Sequence, residues 1–234
     1  MIILPENYKQ IYPCINRSGS TAEIFANEYY TKAYKIYRNR FKYNKEKFDA
    51  FLKFHNENCF LPKEIVSIEN KPNLYVGYEM DYDNGIALRQ IIEESLSKLI
   101  ESSLELITTL EEISSHHFII SDPNPDNITF SNNYKFVDTY SFLLSKKHID
   151  EAIFKRNLIK VNISVLSGLL GFSYQENVIN YLRTINSKYL DYYIDLKKTN
   201  INFIYDILSI IQESTKEDSL RNAKKKILLP YNKL

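Results

Sequence analysis

The sequence predicts an α+β protein in two parts: a small antiparallel β-rich lobe over residues 1–82, then a mainly helical lobe over 83–234. Three observations carry this expectation. Short runs of β-branched and aromatic residues separated by turn residues crowd the first third of the chain. From Ile86 onward apolar residues recur near the helical period, and the change of character falls at the turn-forming Asp83-Asn-Gly85.

Composition sets the bounds. A chain of 234 residues with 44% hydrophobic and 14% aromatic content can bury a sizeable core. Thirty basic side chains against twenty-nine acidic ones leave a net charge of +1, so no global field favours nucleic acid or an anionic membrane. The two cysteines, Cys14 and Cys59, have neither disulfide-framework spacing nor a histidine cluster beside them, which argues against structural zinc and suits a reducing compartment. Met1 to Leu4 is too short for a signal-peptide core and no run reaches the length of a membrane span. The expectation is a cytoplasmic protein, or one exported into a host cell by a signal that leaves no hydrophobic trace.

In chain order, Leu4 to Pro13 reads as an irregular segment, and Ile15 to Phe25 and Lys32 to Tyr37 as strands of an antiparallel meander. Phe48, Phe51, Leu52 and His55 at helical spacing predict an amphipathic helix over Asn44 to Asn56. Two more strands follow, Phe60 to Ile68 and Asn73 to Met80, with the turn Glu69 to Pro72 between them. Ile86 to His116 should hold one short and one long helix, with His116 and His117 at its end serving the helix dipole and last carbonyls. Ile149 to Gly171, Gln175 to Asn186, Leu190 to Lys198, Asn202 to Thr215 and Lys216 to Leu228 read as further helices. The basic Arg221 to Lys226 suits a helix C-terminus and a solvated face better than a nucleic-acid site.

The chemistry is expected between Ser121 and Asp138. Two Pro, two Asn and two Asp within Asp122 to Asn127 make a rigid polar loop, and Ile128 to Phe130 and Lys135 to Val137 form two short strands about the turn Ser131 to Asn133. Taken alone the loop could be a turn held by its own side-chain caps. The spacing of Asp122, Asn127 and Asp138 also suits metal-assisted phosphoryl transfer. A carboxamide and a carboxylate can hold magnesium against phosphate while a separate carboxylate orients the attacking hydroxyl.

At these residues the chain resembles protein kinases, whose catalytic loop reads H-R-D-L-x-x-x-x-N and is followed by D-F-G after a short hairpin. The resemblance implies ATP and Mg2+, with Asp122 as catalytic base and Asn127 and Asp138 as metal ligands. Gly19 matches the middle glycine of the phosphate-covering loop, Ser20 follows it, and Ile24 falls at that loop's valine. Ala33-Tyr34-Lys35 resembles the A-x-K of the third strand, so Lys35 would hold the α and β phosphates. Asp49, or Glu46 one turn earlier, would be the helix acid that steadies Lys35. Tyr78 would be the gatekeeper, with Glu79, Met80 and Asp81 as the hinge whose backbone binds adenine. Asn162 falls where kinases often carry an anchoring Asp.

The departures are specific. Arg17 and Ala22 stand at the outer glycines, Ile120-Ser121 at His-Arg, Asn124 at the usual loop lysine, and Thr139-Tyr140 at Phe-Gly, and there is no A-P-E. Gly-Ser-Thr-Ala-Glu-Ile-Phe25 is similar to the loop of compact bacterial kinases, including effectors of the OspG and NleH type. That likeness implies a protein Ser or Thr acceptor and a ubiquitin-type activating partner. Two alternatives stand beside the active kinase: a pseudokinase acting through nucleotide binding or contact, and a small-molecule kinase of the aminoglycoside type.

Overall fold

The computed structural model describes residues 1–16, 21–82, 84–147, 149–171, 180, 184 and 200–228. It is mixed α+β, as expected, and divides into two compact units. The first comprises Met1–Asn84 together with Val137–Tyr140, and the second comprises Gly85–Phe136 with Ser141–Leu234.

The first unit is built on a six-stranded sheet of β1 (Ile2–Leu4), β2 (Cys14–Asn16), β3 (Ala22–Ala26), β4 (Lys32–Tyr37), β5 (Glu64–Ile68) and β6 (Gly77–Asp81), in the order β1-β5-β6-β4-β3-β2. All pairings are antiparallel except the first: β1 runs parallel to β5, with Ile2 opposite Val66. The segment expected to be irregular is therefore ordered. Leu4 and Tyr8, the latter in the short helix α1 (Tyr8–Ile11), are buried with Phe25, Tyr34, Ile36 and Val66 on one face of the sheet. Helix α2 (Lys45–Lys53) buries Phe48 and Phe51, and its first turn is capped by the Asn44 side chain, which accepts from the Lys47 amide at 3.0 Å.

The second unit carries β7 (Ile86–Ala87), β8 (Phe118–Ile119), β9 (Ile128–Phe130), β10 (Tyr134–Phe136) and β11 (Leu143–Leu144), arranged as β10-β9-β7 and β11-β8. The expected short helix is a single 3-10 turn, Leu88–Gln90, before the long α3 (Leu96–Ser115), whose C-cap is His116. His117 adopts a positive φ of 61°, and its Nδ1 lies 3.0 Å from Asp150. Helix α4 (Asp150–Leu170) ends at Gly171, where φ is 86°, a region glycine enters without steric cost. Helices α5 (Phe203–Thr215) and α6 (Leu220–Leu228) follow.

The single helix expected over Lys216 to Leu228 is broken at its start. Lys216 is in the left-handed conformation, and Asp218 is drawn out to cap α3 instead. Its carboxylate accepts from the Ser95 hydroxyl (2.7 Å), the Ser97 amide (2.9 Å), the Ser97 hydroxyl (2.7 Å) and the Gln212 amide (2.7 Å). These bonds hold the Asp218 pKa down at about 2. The helices expected over Gln175 to Asn186 and Leu190 to Lys198 lie largely outside the described residues, although Asn180 and Thr184 are helical.

Candidate functional site

Alternation along β4 sends Tyr34 and Ile36 into the core around Leu4 and Tyr8, so Ala33, Lys35 and Tyr37 take the other face. Cross-strand register puts Ile24 opposite Lys35 and Lys35 opposite Tyr78, and places Ala33 opposite Met80. One face of the sheet thus gathers Ile24, Ala33, Lys35, Tyr78 and Met80. Lys35 is only 7% exposed, and its Nζ donates to the Asp138 carboxylate at 2.5 Å. β6 comes unusually close at this point: a Cβ on Gly77 would lie 1.9 Å from the Lys35 carbonyl oxygen, so only glycine fits.

Asp138 is held by the two residues after it. The Thr139 hydroxyl donates to the Phe60 carbonyl at 2.7 Å. The Tyr140 ring lies among Phe41 (5.1 Å between centroids), Tyr78 (5.3 Å) and Phe51 (6.0 Å). Its hydroxyl accepts from the Asn44 amide (3.0 Å) and donates to the Lys42 carbonyl (3.3 Å). Thr139-Tyr140 is thereby a plug in this unit that fixes the carboxylate beside Lys35. Burial pushes the phenols of Tyr78, Tyr37 and Tyr140 up, and for Tyr78 and Tyr37 the Asp138 charge adds to the effect.

The helix acid is a correction. Asp49 and Glu46 are both exposed, and neither is paired with Lys35. The residue of α2 that turns toward Asp138 is a cation, Lys47. Its Nζ donates to the Tyr140 carbonyl at 2.5 Å and sits 4.6 Å from the centre of the Tyr140 ring. Burial pushes the Lys47 amine down to about 8, an effect that the Asp138 charge opposes. Burying Phe48 and Phe51 rotates the acids outward and leaves Lys47 at the flank of the packed face.

The hinge expectation also needs revision. The Tyr37 amide donates to Val76 and the Tyr82 amide to Thr31. Alternation between these ends makes Lys35/Tyr78 and Ala33/Met80 hydrogen-bonded pairs of the antiparallel ladder. The Glu79 carbonyl accepts from the Lys63 amide at 2.8 Å, and its side chain, 2% exposed, takes Lys32 at 2.6 Å on the opposite face from Lys35. The backbones of Tyr78 and Met80 are thus paired with β4, and the Glu79 carbonyl accepts from Lys63, so these groups serve the sheet. Gly19 and Ser20 lie outside the described residues.

In the second unit the polar loop is pinned from two elements. Within it, Pro125–Asn127 forms a 3-10 turn started by the Asn124 side chain, which accepts from the Asp126 amide at 3.1 Å. The Asn127 amide nitrogen donates to both the backbone oxygen and a carboxylate oxygen of Asp122 at 3.2 Å. Arg89 reaches Asp126 at 3.6 Å and Asn124 at 3.3 Å. From α4, Asn157 is fully buried. Its oxygen accepts from the Ile120 amide (2.9 Å), and its nitrogen donates to Phe118 (2.9 Å) and Ser114 (3.1 Å). One turn on, Lys160 reaches the carbonyls of Ile120 (3.3 Å) and Ser121 (3.4 Å), and burial and the Arg156 charge lower its pKa. Anchoring therefore belongs to Asn157 and not to Asn162, which lines a small space beside α3 with Ser103 and Leu106.

Within the second unit Asn127 spends its nitrogen on Asp122 and keeps a carboxamide oxygen; within the first, Asp138 carries a carboxylate. Magnesium is commonly held by one or two such oxygens together with phosphate and water. Among the described residues no three of His, Cys, Asp and Glu gather as a self-contained cage, and no helix is long and apolar enough to cross a membrane. The basic C-terminal stretch is engaged internally: Arg221 meets Glu93, Lys226 meets Glu217 and Thr215, and Lys224 donates to Leu169. No protein-family model matches the chain, and no curated protein does.

Proposed function

We propose that this chain is an ATP- and magnesium-dependent phosphotransferase of two-lobed, protein-kinase-like architecture that acts on a protein Ser or Thr. The observation that carries the reading is the Lys35–Asp138 pair. A strand lysine and an aspartate 103 positions later, the two residues the motif resemblance assigns to phosphate and metal, stand 2.5 Å apart on one face of the sheet. In this reading Lys35 holds the α and β phosphates, Asn127 and Asp138 hold the magnesium that neutralises the triphosphate, and Ile24, Ala33 and Met80 give apolar surface to the base. Asp122 accepts the proton of the acceptor hydroxyl as its oxygen bonds to the γ-phosphorus and ADP departs. Asn127, Asn157 and Lys160 position the loop that carries Asp122.

Radiolabelled ATP with the purified chain and added protein acceptors tests this. Lys35→Ala and Asp138→Asn should each remove transfer by at least a hundredfold; undiminished transfer in both variants refutes it. A second reading, a pseudokinase that binds nucleotide and acts by contact, is favoured by Lys47 standing where a helix acid is expected and by Asn124 at the loop lysine. Thermal stabilisation by ATP without turnover under any acceptor condition would select it.

A further inference from the structure

Among the described residues, two ammonium groups stand around the one carboxylate of Asp138. Lys35 is matched to the Asp138 carboxylate. Lys47 reaches the same neighbourhood from α2, half-buried, and its hydrogen bond goes to a backbone carbonyl instead of an acid. The two carboxylates of its own helix, Glu46 and Asp49, are both exposed, and neither forms an ion pair with Lys47. The other groups packed about it, Tyr140 and Phe51, offer ring faces and no anionic oxygen. Two ammonium groups thus share one carboxylate. A half-buried cation with no ion pair of its own is costly to fold. Such a cost is retained where the missing anion arrives as a ligand.

We propose that Lys47 is a second phosphate-binding cation, and that together with Lys35 it forms a two-lysine site that takes a polyphosphate anion without requiring a divalent metal. The inference deepens the reading above by naming a further binding residue for the same ligand class, and rests on it only for the nucleoside. A triphosphate entering this unit would take over the charge that Asp138 shares with Lys35 and give Lys47 an anionic oxygen to bond directly. Lysine suits this task because the ammonium can swing between the Tyr140 carbonyl and a phosphate oxygen on its flexible stem. An acid at this position should weaken the ligand.

The test is binding measured without turnover. Inorganic tripolyphosphate and, separately, ATP are titrated by calorimetry in EDTA at low ionic strength against wild type, Lys47→Met, Lys47→Arg and Lys47→Glu. Both ligands should bind the wild type. Lys47→Met should weaken each at least tenfold, Lys47→Glu further still, and Lys47→Arg should remain within about threefold of wild type. Lys47→Met removes a half-buried charge, so its unfolding temperature should not fall, and this separates lost binding from lost folding. Tripolyphosphate binding unchanged in Lys47→Met overturns the proposal, as does the absence of binding to wild type in EDTA. Lys47-dependent binding with no phosphoryl transfer leaves this inference standing and removes the transferase. Transfer whose KM for ATP is the same in Lys47→Met removes this inference and leaves the transferase.

Discussion

Asn157 ties α4 to the strand that leads into the polar loop, and its replacement by alanine should be severe. Three hydrogen bonds are lost, to Ile120, Phe118 and Ser114, each contributing about 1 kcal/mol net. The Ile120 amide would then be stranded in a residue that is fully buried, which adds about 1–2 kcal/mol. The expected loss is about 4 kcal/mol, a large part of the roughly 5–15 kcal/mol that holds a domain folded. With a urea dependence of about 2.5 kcal/mol/M, the midpoint should fall by roughly 1.5 M, read by far-UV circular dichroism. Asn157→Asp gives a sharper check. The carboxylate keeps the Ile120 acceptor but turns an oxygen toward the Phe118 carbonyl, so burial and that contact raise its folded pKa. A raised acid pKa means stability present below about pH 4 and lost as pH rises. The deficit of Asn157→Asp against wild type should therefore grow from pH 4 to pH 7. A loss under about 1 kcal/mol for alanine, or a pH-independent deficit for aspartate, would refute the account of Asn157 as the anchor.

Other expectations follow from the same geometry. Asp218→Ala removes three acceptor contacts to the start of α3 and one to Gln212 of α5, and should cost about 1–2 kcal/mol at pH 7, discounted because the carboxylate is exposed. Because the native pKa is depressed to about 2, that contribution is present above about pH 4 and disappears as pH falls toward 2, so wild-type and variant denaturation curves should converge in acid. Gly77→Ala must force β4 and β6 apart at the Lys35 carbonyl and should cost about 2–4 kcal/mol in urea unfolding, together with any thermal shift given by ATP. A Gly77→Ala protein as stable as wild type would mean that the strands are not so closely apposed.

Much of the first unit could be read because its signals are local. Alternation over Lys32 to Tyr37, and the turn residues around Asn73, are short-range facts. The strand β1 could not, since three apolar residues carry no period and acquire meaning only from β5, more than sixty positions away. The missed helix residue was legible. Measured at about 100° per residue from the midpoint of Phe48 and Phe51, Glu46 lies about 170° away, Asp49 about 130° and Lys47 only about 70°. Offset along the chain suggested an acid, whereas rotation about the helix selects the lysine. Asn157 was visible in the same way, because it lies in line with the buried Ile153 and Val161 at i−4 and i+4, where an amide must find partners. The break at Lys216 left no such trace. Its cause is Asp218 capping another helix, a tertiary choice that local propensity does not encode.

The four residues Val137–Tyr140 belong to the first unit although the chain on either side of them belongs to the second. A nascent or truncated polypeptide ending near Asn84 would have all six strands but no Tyr140 ring to fill the space among Phe41, Phe51 and Tyr78, and nothing opposite the Lys35 amine. Completion of the amino-terminal half therefore waits on roughly fifty further residues of synthesis, a closure over long sequence separation that is entropically slow. Excising that half at the apparent boundary should yield a destabilised fragment, and supplying the missing tetrapeptide in trans offers a way to see it recover.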